Sequence, residues 1–174
     1  IKTAVEKIDI DVPNWTFVAA RLFIFDLYHR VGKSTHGIKG EPYCHLRDYL
    51  KYGKDAGRLI PNLGVGYDLD DLNSYLKPER DFLFNYLGIK TLYDRYLIKN
   101  NKGLPIELPQ HMFMAIAMFL AQDEEDKQQR AKEFYDVVSK FEVMLATPTL
   151  SNARTNRHQL SSCYIGSSPD NIEG

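Results

Sequence analysis

The chain has 174 residues, of which 44% are hydrophobic and 26% charged, with a formal net charge of −1. This is enough apolar material for one domain, or one domain plus part of a second, and so even a charge supplies no global attraction to nucleic acid or an anionic membrane. No run of about 18 apolar residues is present, so no transmembrane helix is expected, and Cys44 and Cys163 stand too far apart for a zinc motif or a disulfide framework.

In chain order the pattern is mostly helical. Residues 15–30 predict a first helix, with Asn14 as its cap. Trp15, Val18, Ala19, Leu22 and Phe25 fall on one face, and Phe23, Ile24 and Leu27 on a second. Apolar residues on both faces predict the buried centre of a bundle. Asp26 and Arg30 are spaced to pair. Gly32 is read as the helix stop, opening a loop to Pro42. The Gly32-Lys33-Ser34 run is no phosphate-binding P-loop, because Leu27 stands where that motif needs glycine.

Residues 43–52 predict a short helix through Leu46, Tyr49 and Leu50, and glycines and prolines then punctuate a loop. Asp68 is expected to cap a helix through Leu69, Leu72 and Leu76, and Pro78 suits the first turn of the next. Phe82 to Leu97 continue at helical spacing with a break near Gly88. Asn100–Gly103 reads as a turn. Pro109 opens a helix with Met112, Ile116, Phe119 and Leu120 on one face. Asp123 is expected to cap the longest helix, whose stripe is Ala131, Phe134, Val138, Phe141 and Leu145.

After Leu145 the pattern changes. Pro148 bars a helix from continuing. Residues 147–157 read as a polar loop, 159–165 as a short strand, and Ser167 to Asp170 as the start of another helix. A domain boundary is placed near 145. By residue type alone, Thr147 is a turn residue beside a proline, Ser162 a strand hydroxyl, Cys163 a small core thiol and Asp170 a first-turn acid. Arg154 and Arg157 read as solvated, with phosphate binding as the alternative. His158 completes no metal site.

Thr147-Pro148-Thr149-Leu150-Ser151-Asn152 followed by Gln159-Leu160-Ser161-Ser162-Cys163 closely resembles the substrate loop and first barrel strand of ribonucleotide reductase large subunits. Three further stretches are similar to the same family: Phe17-Val18-Ala19-Ala20-Arg21-Leu22, the run Gly88 to Leu97, and Ile106-Glu107-Leu108-Pro109-Gln110-His111-Met112. The chain departs from the family at Arg154-Thr155-Asn156, where members often have Gly and then Thr-Pro.

The resemblance implies a mainly α chain: an all-α N-terminal domain over 1–145, then over 146–174 the truncated start of a ten-stranded α/β barrel. That second part would hold the substrate loop, the first strand and the start of an effector-site helix. Carried over position by position, Thr147 would meet the substrate phosphate and Ser162 the ribose. Cys163 would be one of two reducing cysteines. Asp170, with Asn171 beside it, would contact a deoxynucleotide effector. The parent is then expected to reduce ribonucleoside diphosphates, supplying DNA precursors. It would work with a radical-generating small subunit that carries the radical cofactor, a second large subunit, ATP or deoxynucleotide effectors, and thioredoxin or glutaredoxin as reductant. No metal or cofactor is expected in this chain itself, nor any direct DNA or membrane binding, and the setting is expected to be cytoplasmic. The first residue is not Met and the sequence ends soon after Cys163, so the natural start and most of such an enzyme are expected to lie outside it, and the chain alone is expected to be inactive. The alternative is a non-catalytic helical interaction module.

Overall fold

The sequence from Pro109 to Leu120 is apolar on every face but for Gln110 and His111, and a helix of that kind must be surrounded. In a computed structural model of the chain, which describes residues 1–35, 42–157 and 159–166, it is the centre of a helical bundle. The helices are α1 (Lys2–Val5), α2 (Trp15–Thr35), α3 (Leu46–Asp55), α4 (Leu69–Tyr75), α5 (Tyr86–Thr91), α6 (Pro109–Leu120), α7 (Lys127–Ser139) and α8 (Thr147–Asn152). A 3-10 turn at Pro78–Leu83 and a π turn at Leu92–Tyr96 flank α5. The chain is thus mainly α. Among the described residues the sole β pairing is an isolated bridge between Lys99 and Pro105.

Helix α6 is buried from Pro109 to Met118 and packs along α7, while α2 packs along α5. The central helix is therefore α6, not α2. Helix α2 buries Ala19, Phe23, Ile24 and Leu27 but exposes Val18, Leu22 and Phe25. The face expected inside at those three positions lies outside, because partners cover only one side of the helix.

Local signals explain most helix starts. Asp68 caps α4 by accepting from the amides of Asp70 and Asp71 at 3.1 Å. Pro109 stands in the first turn of α6, where its missing N–H costs nothing. Several boundaries differ from expectation. Helix α2 runs through Gly32 to Thr35, since one glycine costs a helix only about 1 kcal/mol. The break expected near Gly88 falls at Asn85, which caps α5 by accepting from the Gly88 amide at 2.7 Å. Helix α7 is capped by Asp126 rather than Asp123, and its 13 residues make it shorter than α2 with 21. Phe141 and Leu145 lie beyond its end.

That end is a Schellman turn: the amides of Phe141 and Glu142 donate to the carbonyls of Val138 and Val137. The turn needs a left-handed residue, and Phe141 supplies it at φ 64°. Its ring packs edge-on against Phe84 at 4.7 Å between centroids, which offsets the backbone strain.

Most polar side-chain atoms inside the bundle are paired, the exceptions among the described residues being Arg58 Nε and His111 Nδ1. Asp81, fully buried, accepts from the hydroxyls of Tyr28 and Tyr43 at 2.8 and 2.6 Å and from the side-chain Nε2 of Gln110 at 2.8 Å. Burial pushes its carboxyl up to about 6, with the three donors pulling the other way. His111 stacks on Tyr49 and lies 3.0 Å from the Cys44 carbonyl. Burial lowers its pKa to about 4, so it is neutral at pH 7.

Candidate functional site

Pro148 was expected to bar helix. Instead it begins α8, standing in that helix's first turn after the extended residue Ala146, while α7 has already ended at Ser139. The polar run 147–152 is therefore a short helix, not a loop. Leu150 and Ala153 join the same core as the rest of the bundle.

Beyond α8, Arg154 is fully buried. Its Nε donates to Glu107 Oε2 at 3.0 Å and its Nη2 to Glu107 Oε1. Two further N–H groups, on Nη1 and Nη2, reach the carbonyls of Leu150 at 2.6 Å and Tyr96 at 2.8 Å. Glu107 also accepts from the Tyr49 hydroxyl at 2.6 Å and the Ile98 amide at 2.7 Å. Burial works against the guanidinium charge, but the adjacent carboxylate outweighs it and holds the pKa above its ordinary value. Arg154 is thus engaged and unavailable to a phosphate. The sequence signals for this pair are slight: a lone acid between Ile106 and Leu108, and an arginine beside an alanine.

Two cavities flank α8. The first, about 440 Å³, is an apolar groove lined by Phe84, Leu87, Tyr96, Phe113, Phe141 and Thr147 among others. Thr147 opens the helix on the wall of this groove, its Oγ1 3.1 Å from the Tyr96 hydroxyl. The second, about 360 Å³, is polar, and Tyr96 lines both. Arg58, Lys99, Ser151, Asn152, Thr155 and Arg157 line it.

Ser162 and Cys163 lie on an exposed irregular segment that bends at Ser162, the Ser162 hydroxyl 3.8 Å from the Cys163 sulfur. The Asn152 side chain donates to the Gln159 carbonyl at 2.7 Å and Leu160 packs against the core, anchoring the start of this segment beside α8. Residues 159–166 form no strand among the described residues. A lone segment has no ladder to join. Thr147 contacts neither Ser162 nor Cys163 by a hydrogen bond. Asp170, Asn171 and His158 lie outside the described residues. Cys44 is half-buried, and burial pushes its thiol up to about 11. No helix among the described residues is long and apolar enough to cross a membrane.

Residues 82–158 match the family described as the ribonucleotide reductase all-alpha domain. The whole chain is 64% identical to the ribonucleoside-diphosphate reductase subunit alpha of Helicobacter pylori and 38% identical to that of Treponema pallidum, covering 21% of each. Over 99% of its length it is 35% identical to the subunit alpha of Enterobacteria phage T4, covering 23% of it. The chain thus spans about a fifth of the length of these curated relatives. An all-α match of this extent, with the similarity running from the first residue to the last, means that the chain belongs to the ribonucleotide reductase large-subunit family.

Proposed function

We propose that this chain is part of a catalytic subunit that reduces ribonucleoside diphosphates to deoxyribonucleoside diphosphates. The observation that carries the reading is the 64% identity over all 174 residues to a subunit bearing that activity in its name. The same observation favours the enzyme over a non-catalytic helical module. Residues 146–174 are then the start of the barrel domain, with 159–165 pairing as its first strand once neighbouring strands exist.

In this reading the Thr147 hydroxyl meets the substrate phosphate. Its place on a cavity wall, with an exchangeable partner in Tyr96, suits a group that must turn toward a ligand. Ser162 contacts the ribose. Cys163 supplies one of two thiols: the pair gives up two electrons and two protons and becomes a disulfide, while a ribose hydroxyl leaves as water. The exposure of Cys163 fits a thiol that must be reached by substrate and reductant. Cys44 is unsuited as its partner, since burial suppresses the thiolate, so the second sulfur comes from elsewhere in the subunit. Asp170 and Asn171 contact a deoxynucleotide effector. The radical arises in a separate small subunit, two large subunits pair, ATP or deoxynucleotides regulate, and thioredoxin or glutaredoxin restores the thiols.

The test is Cys163→Ser in the intact subunit. Multiple turnover with a dithiol reductant is expected to disappear while nucleotide binding persists. Turnover at the parental rate would remove Cys163 from the redox pair.

A further inference from the structure

We propose that the polar cleft between the Gly57–Arg58 turn, Lys99 and the 151–157 segment is a binding site for a polyphosphate, of the kind carried by pyrophosphate or a nucleoside di- or triphosphate. Three of its lining residues, Arg58, Lys99 and Arg157, are cationic and none is acidic. Several cations elsewhere in the chain sit beside acids, as in Arg80–Asp136, Lys132–Asp71 and Arg130–Glu133. Among the described residues none of the three cleft cations has a carboxylate within 4.0 Å. Like charges gathered without counter-charge repel one another, and an anion with several charges between them reverses the sign of that interaction.

The donor chemistry fits as well. Arg58 gives one hydrogen bond, from Nη2 to Asn101 at 2.6 Å, and its Nε is a buried donor with no acceptor. A buried N–H left in that state costs free energy that an acceptor brought within its reach would recover. Lys99 rests 4.5 Å from the Tyr93 ring centroid, a contact that leaves its N–H donors unused. The Arg157 side chain and the Ser151 hydroxyl make no hydrogen bond among the described residues. Guanidinium forks and hydroxyls are suited to phosphate oxygens. The volume, about 360 Å³, lies at the small end of ligand pockets and suits a compact anion. The cleft shares only Tyr96 with the groove that Thr147 lines, so this inference does not rest on the redox reading.

Pyrophosphate is the probe. Titrated into the full chain, it is expected to bind saturably in calorimetry and to shift the amide resonances of Arg58, Thr155 and Arg157. Arg157→Gln and Arg58→Gln are each expected to weaken binding about tenfold or more. Arg157 is exposed and its side chain makes no contact that holds the fold, so its variant keeps the test valid if Arg58→Gln fails to fold. Arg21→Gln, at an exposed position on α2, is expected to change nothing. Absence of saturable binding, or equal weakening by Arg21→Gln and the cleft variants, would overturn the proposal.

Discussion

Arg154→Met is expected to destabilise the chain by about 3–5 kcal/mol. Methionine has nearly the length of the arginine stem, so the loss is not chiefly one of packing. What changes is that the Glu107 carboxylate, 0% exposed, keeps the Tyr49 hydroxyl and the Ile98 amide but loses its counter-charge. The carbonyls of Leu150 and Tyr96 lose a charged donor at the same time. With a urea slope of about 2 kcal/mol per molar, a loss of about 4 kcal/mol moves the unfolding midpoint down by about 2 M. That is a large share of the total of about 5–15 kcal/mol typical of a domain. The diagnostic step is a second substitution. Glu107→Gln, added to Arg154→Met, replaces an unpaired charge by a neutral amide that still accepts from Tyr49, and is expected to restore about 1 kcal/mol or more. Urea unfolding followed by far-UV circular dichroism measures both. A loss below about 1 kcal/mol for Arg154→Met, or a further fall on adding Glu107→Gln, would refute the reasoning.

Asp81 and His111 are expected to give opposite pH dependences that nearly cancel in the parent chain. Asp81 has its folded pKa raised from 3.8 to about 6, so the stability it contributes is greatest below 3.8 and is lost as pH rises through 6, about 3 kcal/mol in all. His111 has its folded pKa lowered from 6.5 to about 4, so its contribution is full above 6.5 and is lost as pH falls toward 4, again about 3 kcal/mol. Relative to the parent, Asp81→Asn should therefore gain stability on going from pH 4 to 6 and His111→Gln should lose it. Urea midpoints at the two pH values check this, and parallel profiles for all three proteins would contradict it. Phe141→Gly is expected to be more stable than Phe141→Ala by about 1 kcal/mol, because both lose the ring contact with Phe84 but only glycine relieves the left-handed backbone. Thermal unfolding of the pair decides the order, and a more stable alanine variant would mean that φ 64° carries no strain.

What was legible in the sequence was what neighbouring residues decide. Asp68 announces α4 because its carboxylate needs only the next two or three amides, and Pro109 announces α6 because a proline suits a first turn. The orientation of α2 was not legible. Both of its faces carry large apolar side chains, and which face is covered depends on α5, far along the chain. Pro148 misled because a proline that cannot continue a helix can still begin one, and the choice depended on whether residues 147–152 had a core to lie against. Leu150 and Ala153 supply that contact. Thr147, Ser162 and Cys163 could be singled out only by likeness to a family, since nothing in their types or spacing separates them from a turn residue, a strand hydroxyl and a buried thiol. The polar cleft could not be seen at all, because Arg58, Lys99 and Arg157 come from three separate stretches.

The buried ion pair bears on the site as much as on the fold. An apolar pair of equal volume often matches a buried salt bridge in stability, so stability alone does not explain a charge at Arg154. Direction does. The guanidinium reaches Leu150 inside α8, Tyr96 at the end of the π turn, and Glu107 just before α6. One planar fork thus sets the register between three elements, which a lysine, with its donors on a single atom, could not do. Tyr96 is the piece that this fixes most usefully. Arg154 holds its carbonyl, its hydroxyl meets Thr147, and it lines both the apolar groove and the polar cleft. A shift of that tyrosine would move the threonine's partner and alter the lining of both cavities. The arginine read from the sequence as solvated, with phosphate binding as the alternative, acts one layer further in, by keeping those that face the cavities in place.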